Sequence, residues 1–144
     1  MKIIFLIVLI LSFGSVLFFY VFPKKPHAEI DGHVFVVEIA TTPQEQQTGL
    51  AKYTKIQQNF TMYFPFSHPD YYTFWMKDMH FPIDILFLRN NTIVTIFSNV
   101  PVKSNYQDYL YKPTQPSDAV MEISEGLSNR YGFKDGDKVT LDDR

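Results

Sequence analysis

Trp75 and Lys77 are two residues whose types and spacing could bind a ligand. They are two positions apart in Tyr71–Met76, a segment of strand composition, so their side chains and that of Thr73 should share one face. An indole ring can stack on a sugar or another planar group, and an ammonium group can hold an anion. In the structural alternative, Trp75 belongs to a core or its rim and Lys77 pairs with a nearby acid. Buried aromatic residues outnumber those that stack on ligands, so this alternative is favoured.

Asp84 is a further candidate because it interrupts the apolar strand predicted over Ile83–Leu88. A buried carboxylate must be paired or hydrogen bonded, since burying its ionised form alone is costly. Lys77 comes just before the intervening turn, which makes it the predicted partner of Asp84 in an ion pair. The candidate ligand-binding residues are therefore Trp75, Lys77 and Asp84. For a hydrolase, Asp84, Glu122 and Lys77 would be the candidate acids and bases.

The sequence predicts no cofactor and no metal site. It has no Cys, which excludes disulfides, zinc–thiolate sites and thiol catalysis. Its four His have no ligand spacing, and only Asp78 with His80 offers a weak candidate for a metal site. No serine elbow or phosphate loop is present. No residue is therefore assigned as catalytic, and binding is favoured over enzymatic activity.

The first 23 residues are predicted to be a membrane anchor or a signal segment. Ile3 to Phe22 is an apolar run of 20 residues, long enough to cross a bilayer as a helix. The run exceeds the core of a usual signal peptide, and no A-x-A-like cleavage site follows it. An uncleaved transmembrane helix is therefore favoured over a cleaved signal. Its short N-terminal side places the rest of the chain outside the cytoplasm.

The charge of the chain is unevenly distributed. The formal net charge is −2, but from His27 onward 10 Lys and Arg stand against 15 Asp and Glu, which gives −5. An acidic domain is a poor nucleic-acid binder, because Lys and Arg supply most of that affinity. The predicted partners are instead the membrane, through residues 3–22, and an envelope polymer or a protein. The oligomeric state is not predicted.

After a linker over residues 24–31, residues 32–144 are predicted to form one small domain. Thr42, Pro43 and Glu45 have the spacing of a capping box and open a short helix. A second short helix is predicted from a Ser124 cap to Gly132, and Asn90-Asn91 form a hairpin turn. Strands are expected at 33–40, 61–66, 71–76, 83–88, 92–98, 118–123 and 138–141. This pattern predicts a mainly β domain, leaning to α+β, with an antiparallel barrel-like sheet.

Four motifs in order resemble the bacterial and archaeal family called domain of unknown function 192. They are Thr42-Pro43-x-Glu45-Gln46-x-x-Gly49-Leu50, Phe74-Trp75-Met76-Lys77, Pro82-Ile83-Asp84-Ile85-Leu86-Phe87 and Gly136-Asp137-x-Val139. The resemblance spans about residues 34–141. It implies a small, mostly β domain that commonly follows an export signal or anchor, and it brings no enzymatic activity. The chain departs from the family after Leu50, where Ala51-Lys52 replaces the usual Met and Arg, and after Lys77, where Asp78-Met79 replaces Asn-Thr.

These features predict a membrane-anchored extracytoplasmic domain that serves as a binding or envelope-associated module. The anchor, the aromatic-rich β domain and the lack of a catalytic motif are the observations behind this prediction. Ten of the 18 aromatic residues after residue 22 fall between Phe60 and Phe87, enough to line a groove or to fill a core. The alternative is a small hydrolase that acts on a cell-envelope polymer.

Overall fold

The computed structural model describes residues 11–12, 15–16, 24–102 and 109–142. Its helices are α1 (Pro43–Thr48) and α2 (Leu127–Tyr131), and a 3-10 turn over Gly49–Lys52 directly follows α1. Its strands are β1 (Leu11–Ser12), β2 (Ser15–Val16), β3 (His27–Ile30), β4 (His33–Ile39), β5 (Phe60–Asp70), β6 (Ile83–Arg89), β7 (Thr92–Val100), β8 (Ser117–Ser124) and β9 (Val139–Asp142).

Seven strands form one curled sheet in the order β7-β6-β8-β5-β4-β3-β9. Neighbours are antiparallel except β4 and β5, which run parallel and are joined across α1 and the 3-10 turn, since parallel strands need a crossover. The two edge strands approach each other where Thr92 bridges Lys138 and the Val139 amide donates to the Asn91 carbonyl at 2.8 Å. The prediction of a mainly β, barrel-like sheet with two short helices is confirmed as a half-barrel, with one parallel pair among its strands.

Two local predictions are confirmed at the atomic level. The capping box of α1 is formed, because the Glu45 amide donates to Thr42 Oγ1 at 3.2 Å and the Thr42 amide donates to Glu45 Oε2 at 2.9 Å. Asn90 and Asn91 have φ values of 49° and 55°, the left-handed conformation that a two-residue hairpin turn needs. Short-range side-chain chemistry therefore determines both features.

The predicted linker over residues 24–31 is wrong for half of its length. His27–Ile30 form β3, which pairs with β4 on one side and with β9 on the other. Ala28 and Ile30 are buried, so this short strand also contributes two apolar side chains to the core. In the predicted linker, the residues without regular structure before β3 are limited to Lys24 to Pro26.

Two further predicted elements differ from the structure. Tyr71–Met76 is not a strand: its one ladder contact with another described residue is the isolated bridge between Phe74 and Tyr111. The predicted Ser124 cap is also wrong, because Ser124 ends β8 and its hydroxyl donates to the Gln57 carbonyl at 3.4 Å. The helix α2 starts later, with Gly126 as its N-cap residue, and ends as predicted at Gly132.

The sheet carries an apolar core on each of its two faces. On β6, Leu86 and Leu88 belong to one core and Ile85 and Phe87 to the other. Because side chains alternate along a strand, Asp84 lies on the face of Leu86 and Leu88. This alternation determines which polar side chains lie on the same face of the sheet and can contact each other.

The predicted transmembrane helix over residues 3–22 lies outside the described residues, apart from the four residues of β1 and β2, which pair antiparallel with each other. In the described part of the chain, no helix has the length and apolar character needed to cross a membrane.

Candidate functional site

A cavity of about 330 Å³ opens on the face of the sheet that carries Ile85 and Phe87. Its volume is at the lower end of the range for small-molecule sites, which is about 300–1,000 Å³. The helix α1, the 3-10 turn, the end of β5, the segment after β5 and one residue of β8 supply its wall. The lining residues are Gln46, Gln47, Thr48, Gly49, Leu50, Phe66, Tyr72, Thr73, Phe74, Trp75, Lys77, Met79 and Glu122.

Glu122 places a carboxyl group in the wall of this cavity. It belongs to β8 and is only 5% exposed. The backbone amide of Leu50 donates a hydrogen bond to the carboxyl group. The second oxygen, Oε2, is buried and has no hydrogen-bond partner among the described residues. A buried polar atom without a partner is costly and marks a position where a ligand can supply the missing bond.

Burial raises the pKa of Glu122 to about 8, and the hydrogen bond from the Leu50 amide opposes this rise only in part. At neutral pH the carboxyl group is therefore mostly protonated. A neutral carboxyl group can donate one hydrogen bond and accept others, whereas a carboxylate only accepts. The site thus presents a hydrogen-bond donor to whatever occupies the cavity.

Gly49 keeps the space beside this carboxyl group open. Its φ of 52° lies in the left-handed region, which favours glycine. A Cβ at this position would lie 3.7 Å from Glu122 Oε2 and 3.5 Å from Phe64 Cζ. Any side chain larger than a methyl group would therefore compete with a ligand for the space next to Oε2.

The structure brings Trp75 and Lys77 to the rim of this cavity, together with Thr73. Trp75 is 42% exposed, so its ring remains partly accessible to a ligand. Phe74, which lies between Thr73 and Trp75 in the chain, is held by edge-to-face contacts with Phe64 and Phe87. The alternation expected of an extended segment is thus present here without a strand, because Phe74 is fixed by the core and its neighbours point outward.

Asp84 is not part of the cavity, although it was a candidate ligand-binding residue. It is fully buried and accepts four hydrogen bonds of 2.6–2.8 Å. The donors are the backbone amides of Asn99, Gly126 and Ser128 and the hydroxyl of Ser128. Asp84 therefore caps the first turn of α2, whose free amides need acceptors, and ties it to β6 and β7.

The predicted ion pair between Lys77 and Asp84 is not formed. In the register between β6 and β8, Asp84 is opposite Ile123 and Ile85 is opposite Glu122. Asp84 and Glu122 consequently lie on opposite faces of the sheet, and Lys77 is on the face of Glu122. Because they lie on opposite faces, Asp84 and Glu122 cannot act together as a pair of catalytic carboxylates.

Sequence reasoning named Glu122 only as a possible acid or base, and it missed the residues that surround it. Gly49 and Leu50 are the important ones, because they supply the open space and the amide donor beside Glu122. Their order after a capped helix was visible in the sequence, but their contact with β8 is long-range. Within the described ranges, no group of three or more His, Asp or Glu residues could hold a metal ion. Asp78 and His80 are therefore not joined there by a third residue of these types.

Comparisons with known proteins identify relatives with the same fold. A crystal structure of a protein of unknown function from Novosphingobium aromaticivorans is 34% identical, with a TM-score of 0.71 over 79% of this chain and 83% of that chain. A crystal structure of a protein from Sinorhizobium meliloti, described as a putative transcription regulator, is 26% identical, with a TM-score of 0.73 over 82% of this chain and 94% of that chain. No curated protein matches the chain.

The family model for domain of unknown function 192, described as uncharacterized ACR, matches residues 26–141. The match starts one residue before β3 and ends within β9, so it covers the curled sheet except for the last residue of β9. It also includes the wall of the cavity around Glu122. The chain therefore belongs to the family called domain of unknown function 192.

Proposed function

We propose that this protein is a membrane-anchored extracytoplasmic module that binds a saccharide unit of a cell-envelope polymer in the cavity around Glu122. One observation carries the proposal: a buried carboxyl oxygen without a partner among the described residues lies in the wall of an open cavity of about 330 Å³. A ligand that hydrogen bonds with Oε2 would remove the cost of burying this atom.

The chemistry of the wall favours a saccharide. Phe66, Tyr72 and Trp75 offer aromatic surfaces, against which the apolar face of a sugar ring can pack. The protonated carboxyl group of Glu122 can bond with a hydroxyl or acetamido oxygen, and the Lys77 ammonium can hold an acidic substituent. This combination of apolar surface and a few polar groups is typical of small-molecule sites.

The apolar run over residues 3–22 supports the membrane-anchored placement. The domain that follows carries a net charge of −5, so under this proposal its ligand is not a nucleic acid. The relative from Sinorhizobium meliloti is described as a putative transcription regulator. The acidic charge of the present chain argues against a role that depends on direct binding to DNA.

Hydrolysis of an envelope polymer is the second candidate function. It is favoured by the pKa of Glu122, about 8, because a general acid works best when its pKa is near the operating pH. Most glycoside hydrolases also need a second carboxyl group beside the scissile bond. The other charged residue in the cavity wall is Lys77, and Asp84 lies on the opposite face. Binding without cleavage therefore accounts better for the arrangement.

Calorimetric titration of residues 24–144 with an N-acetylated oligosaccharide tests this proposal. We expect binding at pH 6 and a loss of affinity of about tenfold at pH 9, because only the protonated form of Glu122 donates the hydrogen bond. Glu122→Leu should abolish binding. Val34→Ala should leave it unchanged, because Val34 is exposed and outside the cavity wall.

Unchanged affinity in folded Glu122→Leu would refute the role of the cavity. Analysis of the same mixtures for shortened oligosaccharides separates the two candidate functions. Cleavage by the wild type but not by Glu122→Gln would establish the hydrolase, and an intact ligand supports the binding module.

A further inference from the structure

Exposed apolar side chains lie on two adjacent segments, one of which lines the Glu122 cavity through Trp75. Four of the most exposed large hydrophobic residues are Tyr71, Trp75, Tyr109 and Leu110, at 46%, 42%, 39% and 55% exposure. Two backbone hydrogen bonds of 2.9 Å between Phe74 and Tyr111 hold their two segments side by side. The antiparallel bridge places Trp75 opposite Leu110. We call these four exposed residues the rim patch.

A basic side chain accompanies the rim patch. The ammonium of Lys112 lies 5.2 Å from the centre of the Tyr71 ring, and Lys77 lines the cavity next to Trp75. Aromatic rings with nearby Lys residues are typical of surfaces at the boundary between bilayer and water. An isolated exposed apolar residue needs no explanation, but such a cluster marks a contact surface.

The chain enters the domain from the end of the sheet at which β5 finishes, because the Pro26 carbonyl accepts a hydrogen bond from the Val37 amide and β5, parallel to β4, ends at Asp70, one residue before Tyr71. Pro26 and His27 line a small cavity together with Pro65. The Pro65 carbonyl accepts a hydrogen bond of 3.0 Å from the side chain of Gln46. Gln46 in turn lines the cavity whose rim carries Trp75. The two cavities flank Pro65 from opposite faces of the sheet, because Tyr63 and Leu141 pack against the core of Leu86 and Leu88, whereas Trp75 lies on the other face.

The connection between the apolar run and the domain is short. The run ends at Phe22, and β3 begins at His27. An extended chain covers at most about 3.6 Å per residue, so these two positions are no more than about 18 Å apart. If residues 3–22 span a bilayer, this end of the sheet is held close to the headgroup layer. The distance is too short for the domain to move away from the membrane surface.

We propose that the rim patch lies in the interfacial layer of the bilayer, so that the Glu122 cavity opens onto the lipid headgroups. The proposal rests on the membrane anchoring included in the proposed function. Trp75 and Tyr71 would occupy the headgroup region, with their rings partly among acyl chains and their polar atoms near water. Lys112 would face the phosphate groups of the lipids.

Fluorescence of the full chain in lipid vesicles tests this orientation. Trp75 is the only tryptophan of the chain, so it alone reports the environment of the patch. The vesicles contain phosphatidylcholine and phosphatidylglycerol, with or without lipids brominated near the headgroup end of the acyl chains. We expect brominated lipids to reduce the emission about twofold, because the indole would lie at the depth of the bromine atoms.

A matched control moves the indole to another part of the domain. The double variant Trp75→Phe, Val34→Trp carries its single indole at a position that is 53% exposed in the wild type. Val34 lies at the end of β4 away from α1. Its emission should change little with brominated lipids.

Three results would contradict the account, and they are distinguishable. Full-length protein that does not float with the vesicles would refute the anchoring itself. Protein that floats while Trp75 emission is unaffected by bromine would refute the orientation only. Equal quenching at both indole positions would also refute it, because the patch would then have no preference for the bilayer.

Discussion

Replacement of Glu122 by Gln should change how the stability of the domain depends on pH. In the folded state the pKa of Glu122 is about 8, compared with its ordinary value of 4.5. The folded state therefore retains a proton between these two pH values, whereas the unfolded state has lost it. The free energy of unfolding should fall by about 1.4 kcal/mol for each pH unit in this range. The total difference between low and high pH is at most about 5 kcal/mol.

The sign follows from which state holds the proton. The stabilising contribution is complete below pH 4.5, decreases as the pH rises, and is lost above about pH 8, where both states are ionised. The amide group introduced by Glu122→Gln does not titrate, so the unfolding free energy of this variant lacks the pH-dependent component. Urea unfolding at pH 5, 6, 7, 8 and 9, on residues 24–144 of both proteins, measures the difference directly.

The exposed neighbour Glu125 provides a matched control, since it lies three residues further along the chain. The unfolding free energy of Glu125→Gln should follow that of the wild type at every pH. If the curves of the wild type and Glu122→Gln run parallel from pH 5 to pH 9, Glu122 is not a buried acid, and the reasoning fails.

Four other substitutions test separate parts of the structure by urea unfolding. Asp84→Ala should cost about 3–5 kcal/mol, because the amides that it caps lose their acceptor. In the double variant Asp84→Ala, Lys77→Met, the losses of the two single substitutions should add. A coupling energy above about 1 kcal/mol would instead show that Lys77 and Asp84 interact as an ion pair. Thr42→Ala should cost about 1 kcal/mol through the lost cap of α1, and an unchanged midpoint would contradict this. Gly49→Val should cost more than about 1 kcal/mol through its positive φ and abolish oligosaccharide binding; retained affinity would show that the ligand does not use this space.

The features that could be predicted from the sequence depend on neighbouring residues. Thr42 and Glu45 satisfy each other's amides across three residues, and Asn90-Asn91 adopt the turn that joins β6 to β7. The apolar patterns of most strands were similarly readable, because each strand buries one or both of its faces. The mainly β fold and the family follow from this local information.

The partners of Asp84 could not be predicted, because they depend on the register between distant strands. The need for hydrogen bonds was correctly inferred from the apolar neighbours of Asp84, but the face on which it lies was not known. With Asp84 opposite Ile123, its acceptors meet the amides of α2 and of the end of β7. Lys77 is excluded by the alternation of side chains. The basic residue just before the intervening turn was therefore the wrong partner.

The same long-range register creates the candidate site. Glu122 lies in the cavity wall because it pairs with Met62 of β5, which brings its carboxyl group next to the turn that contains Gly49 and Leu50. No local pattern indicates that a carboxyl group of β8 meets an amide of a turn about 70 residues earlier. The strand β3 was missed for a related reason, since it consists of four residues and depends on two partners, β4 and β9.

The most direct test of the central claim is NMR titration of the Glu122 side-chain carboxyl carbon, with and without the oligosaccharide. We expect a midpoint near pH 8 in the free protein, because burial raises the pKa of this carboxyl group. It also predicts that the ligand raises this midpoint, because the ligand binds the protonated form more tightly and linkage is reciprocal. A midpoint near 4.5, or a midpoint that a saturating ligand leaves unchanged, would contradict the claim that Glu122 is the polar anchor of a binding site.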